Sequence, residues 1–433
     1  MSHEASSLAF HIEYFKPNKC RATVEIPAHL VNSVYQETLV GQSKYIEAPG
    51  FNSGAVPTSY VEQNFKMGLI EHVQEVLFKH LVRNFFYQEI RTQKIALAGD
   101  PRVTQIVLEP CQQATFTFEC SLFPAVSLQN WKYFPFKAPK RKNYKDLDRQ
   151  VESFIKEERE ATGRGESGRA CVGDWVYFTL CLVDSQHNPL LNGHREYLWI
   201  KIGEEEADQE FRDLFLGKSV GDVLYTDKEC FQEYFGDHLN TQYIMRIEIN
   251  DLVHQHYFCF DSFKRHFRLK TNKEMLQKLI EVFSYRNDIS QRRTTIEETF
   301  KILLTKHPVD IPNHLILRQL ENVLSMVQEN PDYNVYRVQQ DFKEHVYQLA
   351  EKQIKEIMII DQIAYQEDIV VTDDDMKSYL NFFKRPRMKD FVYFQLPETR
   401  VQGQEMPLSA EFLKQYCLRE KTLNYIIYYL TKK

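Results

Sequence analysis

The feature that most constrains this fold is a change in the spacing of apolar residues near residue 253. Before that point, from residue 170 onward, short runs such as 175–183 are rich in β-branched and aromatic residues, which is typical of β-strands. After it, apolar residues recur at helical spacing, most clearly over 342–365 and 410–430. Because 433 residues exceed what one hydrophobic core usually supports, we expect two to three domains, with a β-rich middle part followed by a helical part.

The residues before Ala125 carry a separate alternation of strands and helices. Residues 9–14 and 20–26 alternate as two strands, Pro27 opens a helix, a helical stripe runs over 58–82, and strand alternation returns at 103–108 and 114–122. This order predicts one compact α+β domain.

A loop between the two helices of that domain carries an unusual aromatic residue. Residues 48–57 contain Gly50 and Gly54, which permit tight turns, and Pro57 stands at the start of the next helix. Phe51 lies between the glycines, on what should be an exposed tip. Such a side chain either binds a partner or folds back onto its own domain, and local chemistry leaves both open.

The residues of this loop resemble a signature of the bacterial trigger factors, the chaperones at the nascent-chain exit of the ribosome. The family pattern is Gly-Phe-Arg-x-Gly-x-x-Pro, which Gly50, Phe51, Gly54 and Pro57 match. Asn52 stands in place of the arginine, and Ser53 stands where a lysine is common. The resemblance implies that these six residues dock the protein to the ribosome.

The resemblance extends over essentially the whole chain and implies its architecture. The expected fold is a multidomain α+β protein with an N-terminal α+β ribosome-binding domain, an FKBP-like β-sheet isomerase domain and an elongated helical C-terminal domain with arms. The corresponding boundaries are 1–128 for the first domain, 129–145 for a linker, 146–165 for a helix that belongs to the C-terminal domain, 166–253 for the isomerase domain and 254–433 for the helical domain.

The isomerase domain of this family lowers the barrier to rotation about X-Pro bonds in an apolar, aromatic pocket. The family lines that pocket with an Ile-Pro-Gly-aromatic-Glu run, but residues 208–212 read Asp-Gln-Glu-Phe-Arg, so only the aromatic floor, Phe211, remains. Tyr234 takes another pocket position, and Leu180 replaces an aromatic residue. A carboxylate at position 208 would need to be desolvated. We therefore expect the domain to fold with a weakened proline pocket.

The helical part is rich in aromatic residues that are candidates for contact with unfolded polypeptide. Exposed apolar spots among charges give weak and promiscuous binding. The alternative is that these side chains pack against one another. The candidates are Phe382, Phe383, Phe391, Tyr393 and Phe394.

Residues 131–145 form a basic stretch with interleaved aromatic residues and two prolines. Such a stretch either contacts RNA or serves as a solvated connector along a neighbouring domain.

The remaining features exclude several functional classes. The net charge of −6 argues against a protein that coats nucleic acid as a whole, and the eight scattered cysteines contain no C-x-x-C pair. His254, His256 and His266 match no strong zinc template and are expected at the surface near a domain junction. We expect no metal, no cofactor, no signal peptide and no membrane helix, and hence a cytoplasmic protein with reduced thiols.

The sequence thus favours an ATP-independent chaperone in protein folding and export. Its expected partners are the ribosome near the nascent-chain exit, nascent or unfolded polypeptides, and a second copy in a homodimer. Two alternatives stay open: an active prolyl isomerase as the main role, and a holdase that no longer uses ribosomes.

Overall fold

The structure, a computed structural model, describes residues 8–432 except 53, 125, 127, 138–145, 163–167, 229, 232–242, 256–257, 285–288, 329–330 and 384–385. At 161–162, 289–291, 383, 386–387 and 390 only the backbone is described. Ser53, Tyr234, His256 and the side chain of Phe383 therefore lie outside the described part, as do most of the basic stretch and the predicted boundary between 165 and 166.

The N-terminal region is a four-stranded antiparallel sheet covered by helices. Its elements are β1 (Ala9–Lys16), β2 (Lys19–Ile26), α1 (Ala28–Tyr45), α2 (Thr58–Leu77), α3 (Arg83–Thr92), β3 (Arg102–Val107) and β4 (Ala114–Ser121), with the strand order β1-β2-β4-β3. Every second residue of β2, from Cys20 to Ile26, is buried beneath the helices, as the alternation predicts. A π-helical turn at Phe78–Val82 joins α2 to α3, so the helical stretch reaches Thr92, ten residues beyond the predicted end.

The middle region is a second antiparallel sheet. After α4 (Leu147–Thr162), it contains β5 (Trp175–Val183), β6 (Glu196–Lys201), α5 (Gln209–Phe215), β7 (Val223–Thr226) and β8 (Ile244–Val253). Strand β5 is buried along its whole length because it lies between β6 and β8 and both of its faces are covered.

The region after residue 253 is helical, with one short hairpin near its end. Its elements are α6 (Phe260–His266), α7 (Asn272–Ser284), α8 (Ile289–Lys306), α9 (Asn313–Gln328), α10 (Tyr333–Tyr336), α11 (Phe342–Gln366), α12 (Asp373–Phe383), α13 (Pro386–Phe391), β9 (Arg400–Val401), β10 (Gln404–Glu405), β11 (Leu408–Ser409) and α14 (Ala410–Thr431). A capping box begins α12, since the Thr372 and Asp375 side chains each accept a hydrogen bond from the other's backbone N–H.

The middle sheet receives its fifth strand from the helical region. Strand β11 pairs antiparallel with β6, with Leu408 opposite Trp199 and Ser409 opposite Leu198, so the strand order is β11-β6-β5-β8-β7. Residues 170–253 alone therefore do not complete this sheet.

Three shared cores hold the regions together. The inner face of the middle sheet, with Phe178 and Ile247, continues into the core of the N-terminal region. Leu147 and Val151 of α4 share a second core with Trp199 and with Leu413 of α14. Trp131, after the N-terminal region, lies in a third core with α11 and α14. No helix within the described residues is long and apolar enough to cross a membrane.

Candidate functional site

The loop between α1 and α2 is fixed to the N-terminal region by two buried residues. Ala48 and Val56 are buried in the core on either side of the tip. Between them, the Phe51 N–H donates to the Ala48 carbonyl at 3.1 Å and the Ala55 N–H donates to the Asn52 carbonyl at 3.0 Å. These consecutive turns require left-handed backbone at Gly50 (φ 91°) and Gly54 (φ 76°), which glycine adopts without steric strain.

The Phe51 side chain folds back partly onto its own region and stays partly exposed. Its ring lies 5.0 Å from the ring of Tyr60 on α2, yet 38% of the residue stays exposed. Asn52 beside it is exposed as well, and Pro57 directly precedes α2 with the extended backbone that a helix start needs. The loop therefore presents an aromatic side chain on a pre-ordered turn.

The positions of the proline pocket lie inside the core. Phe211 is buried and its ring meets Phe231 edge to face at 5.0 Å, while Leu180 is fully buried on β5. Within the described residues, both side chains belong to the core that lies under the middle sheet.

Asp208 stands at a position where the family has a residue of the pocket wall. Its carboxylate is buried, as the sequence predicted, but it is not unpaired: one oxygen accepts the Glu405 N–H at 2.7 Å, and the other accepts the Glu205 N–H at 3.2 Å. Arg400 donates to the same oxygen at 3.4 Å. These bonds offset the desolvation that an isolated carboxylate would suffer.

Two of the three partners of Asp208, Arg400 and Glu405, belong to the β9–β10 hairpin, so the carboxylate ties the helical region to the middle sheet. Arg400 also bonds Glu405 at 3.0 Å and lies 3.6 Å from Glu205. The Thr399 hydroxyl donates to the second oxygen of Glu405 at 2.7 Å. We call this group, Glu205, Asp208, Thr399, Arg400 and Glu405, the hairpin clamp.

The aromatic residues expected to contact unfolded polypeptide are mostly core residues, which corrects that expectation. Phe382 is 1% exposed and lies among Phe258, Phe263 and Phe267, and Phe391 is 3% exposed beside Phe267. These side chains pack together because each ring removes a large apolar area from water and the rings attract one another in edge-to-face contacts.

Tyr393 and Phe394 are partly buried and are likewise engaged within the fold. The Tyr393 hydroxyl donates to Glu356 at 2.8 Å, and its ring meets Phe394 edge to face at 5.1 Å. Both backbone N–H groups donate to Glu420 at 3.0 Å.

The segment 313–366, which we call the arm, carries several of the exposed apolar residues of the helical region. Its helices α9 and α11 pack around a small core of Ile316, Val323, Val346 and Ala350. Met326, near the end of α9, and Val335 and Val338, before α11, are 67%, 61% and 76% exposed. The sequence pattern did not single them out, because isolated apolar residues give no periodic signal.

The histidines that the structure describes do not come together as a metal site. His254 is largely buried, not at the surface as expected, and its Nδ1 lies 2.8 Å from Asp174. His266 is buried beside Phe382, where burial lowers the pKa of its imidazole to about 3. Among the described residues no cluster of three potential ligands occurs.

An anchored loop with an exposed aromatic side chain, a five-stranded middle sheet and a helical region with an apolar arm are the features of a multidomain protein with apolar surface suited to contact with other polypeptides. Two family models match the chain: "Bacterial trigger factor protein (TF)" over residues 9–157 and "Bacterial trigger factor protein (TF) C-terminus" over 269–426. The chain belongs to the bacterial trigger factor family, whose members are ribosome-associated chaperones in protein folding. The predicted family and fold class are thereby confirmed.

Curated relatives are similar over most of their length. The trigger factor of Geobacter metallireducens is 22% identical over 399 residues, covering 88% of this chain and 89% of the relative. That of Deinococcus radiodurans is 22% identical over 382 residues, covering 84% and 78%. A solved structure from work on "Promiscuous Substrate Recognition in Folding and Assembly Activities of the Trigger Factor Chaperone" aligns over 96% of this chain and 99% of its own, at 16% identity and a TM-score of 0.37.

Proposed function

We propose that this protein holds nascent or unfolded polypeptide on the end of its arm, without ATP, while the loop 48–57 docks it to the ribosome. The observation that carries the proposal is the exposure of Met326, Val335 and Val338 on a segment with a small core of its own. Scattered apolar side chains in a polar surface give the weak, reversible contact that a promiscuous binder needs. A protein with this role would act in the cytoplasm, where nascent chains emerge.

The role of the arm can be tested by diluting a chemically unfolded protein and measuring how far this protein reduces its aggregation. The variant Met326→Ser, Val335→Ser, Val338→Ser should lose most of the suppression, because each change removes apolar contact area. A matched variant with Val107→Ser, Val220→Ser and Val401→Ser removes comparable exposed side chains elsewhere and should act like the wild type. Equal suppression by the two variants would contradict the assignment.

The middle region is proposed to be a weakened isomerase that serves mainly as a scaffold. The burial of Phe211 and Leu180 and the engagement of Asp208 by the hairpin clamp support this. Refolding of a protein limited by X-Pro isomerisation separates the two candidate roles. Suppressed aggregation without faster refolding fits the proposal, whereas accelerated refolding would establish the isomerase as the main role.

Docking through Phe51 is supported by its partial exposure on an anchored loop. Phe51→Ala should reduce co-sedimentation with ribosomes, while Phe65→Ala, an exposed phenylalanine on α2, should not. If both variants and the wild type fail to sediment with ribosomes, the ribosome-independent holdase is favoured.

The expected homodimer is a separate question. Sedimentation velocity of the free protein over a range of concentrations shows whether it forms.

A further inference from the structure

The far end of the last helix carries a group of tyrosines and cations that the proposed function does not use. The group consists of Arg268, Lys270, Tyr425, Tyr428, Tyr429 and Lys432, and we call it the tyrosine–basic patch. Arg268 lies just after α6, Lys270 lies just before α7, and the other four residues lie on or directly after α14. All three cations are exposed, and the three rings are partly exposed.

The rings of the patch contact one another at tilted and edge-to-face angles, and its cations lie over two of the ring faces. The ring of Tyr429 lies 4.7 Å from that of Tyr425 and 5.4 Å from that of Tyr428. The Arg268 guanidinium lies 4.7 Å above Tyr425, and the Lys432 ammonium lies 4.7 Å above Tyr428. The rings are fixed on a helix, so their faces are presented in a defined arrangement.

The field at this patch is positive although the protein is acidic overall. Lys432, with Lys270 and Arg268, lowers the pKa of the Tyr428 hydroxyl. The neighbouring cations Lys264 and Arg265 have carboxylate partners, but none of the described carboxylates forms an ion pair with Arg268, Lys270 or Lys432.

The nearby acids are already engaged. Glu274 accepts the backbone N–H groups of Lys270 at 2.6 Å and Thr271 at 3.1 Å, which caps α7. Glu367 is bonded to Lys132 and to the Tyr425 hydroxyl. Glu274 also acts electrostatically on Lys270 and Lys432, but within the described residues no carboxylate contacts the three cations directly, so they can still meet an external anion.

We propose that the tyrosine–basic patch binds single-stranded RNA. Cations alone would suit any anion, but aromatic faces beside them fit unstacked bases, which stack on tyrosine while the phosphates meet Arg and Lys. Lys132 joins the patch to the start of the basic stretch, since its ammonium lies 5.6 Å from Tyr425 and 5.2 Å from Tyr429. An acidic peptide would neutralise the same cations without using the rings.

The test measures fluorescence anisotropy of a labelled oligouridylate of about 12 nucleotides, a length within known single-strand site sizes, with the full-length protein. If the three cations each meet one phosphate, affinity should fall about 20-fold between roughly 50 and 200 mM salt. The variant Arg268→Gln, Lys270→Gln, Lys432→Gln should bind about tenfold more weakly at the lower salt and lose most of that salt dependence. Tyr428→Ser should weaken binding about fivefold or more at both salt concentrations, since stacking is not screened.

The matched control is Lys156→Gln, Lys306→Gln, Lys343→Gln, which removes the same charge from exposed positions elsewhere and should bind like the wild type. Equal losses in both triple variants would reduce the effect to net charge and overturn the proposal. So would displacement of the RNA by oligoglutamate of the same length at equal concentration. Because free RNA is used, the result does not depend on docking through Phe51.

Discussion

The Nδ1 atom of His80 lies 4.0 Å from a carboxylate oxygen of Glu196, and both side chains are almost fully buried. His80 belongs to the π-helical turn of the N-terminal region and Glu196 begins β6, so the contact joins the N-terminal region to the middle sheet. Among the described residues neither oxygen of Glu196 has a hydrogen-bond partner. Burial lowers the pKa of His80 to about 3 and raises that of Glu196 to about 8, so the two groups meet as a neutral pair.

The first prediction concerns pH. Because the folded protein holds a proton on Glu196 that the unfolded chain releases near pH 4.5, this group's contribution to stability is lost as the pH rises from about 4.5 to about 8. Glu196→Gln removes that titration, so the variant should be more stable than the wild type at pH 8, as measured by thermal unfolding. Glu152→Gln, an exposed glutamate on α4, should leave the pH dependence unchanged. A wild-type slope retained in Glu196→Gln would contradict the neutral pair.

The second prediction concerns the docking loop. Asn52→Arg with Ser53→Lys adds two cations to an exposed tip, and contact with ribosomal RNA strengthens with each phosphate neutralised. Co-sedimentation with ribosomes should tighten by about threefold to tenfold at low salt, and the gain should shrink at high salt. Asn52→Gln with Ser53→Thr changes size without charge and should have no effect. An unchanged affinity for the cationic variant would mean that the tip does not contact RNA.

The third prediction concerns the hairpin clamp. Arg400→Ala leaves the buried Asp208 with backbone partners only, and should lower the free energy of unfolding by about 1 to 2 kcal/mol, since Arg400 is partly exposed. Denaturation followed by tryptophan fluorescence reports the change, because Trp199 lies opposite Leu408. Arg195→Ala, which breaks a surface pair with Glu248, is the control and should cost about 0.5 kcal/mol or less. Similar losses for both would show that the clamp is not stabilising.

The fourth prediction compares two adjacent arginines. Arg292 and Glu420 form a buried ion pair at 3.3 Å, whereas Arg293 is exposed beside Glu297. Arg292→Ala leaves a buried carboxylate without its cation and should destabilise the protein by about 3 to 5 kcal/mol. Arg293→Ala should change stability by less than about 0.5 kcal/mol. Chemical denaturation of the two variants provides the measurement, and equal effects would mean that Glu420 does not depend on Arg292.

What could be predicted from sequence was local. The buried face of β2 depends only on neighbouring residues of one strand, so the alternation alone located it. The burial of Phe382 and Phe391 could not be predicted, because an aromatic residue on a helix gives no sign of whether neighbours will cover it. The predicted domain boundaries stay predictions.

The candidate site shows the same limit. The loop around Phe51 was found from its glycines, which a tight turn requires. The engagement of Asp208 by Arg400 and Glu405 could not be found, since the partners are nearly two hundred residues apart and leave no periodic signal. The sequence showed that position 208 lacks the family's pocket residue, but it did not show that Asp208 bonds to the hairpin instead.

The pairing of β11 with β6 sets an order for the protein's own synthesis. One edge of the middle sheet is closed by residues 408–409, and α14 follows directly. While the chain is still being translated, that edge stays open until residues 408–409 have been made, about two hundred residues after β6. This member of a chaperone family therefore carries an open sheet edge of its own during a long part of its synthesis.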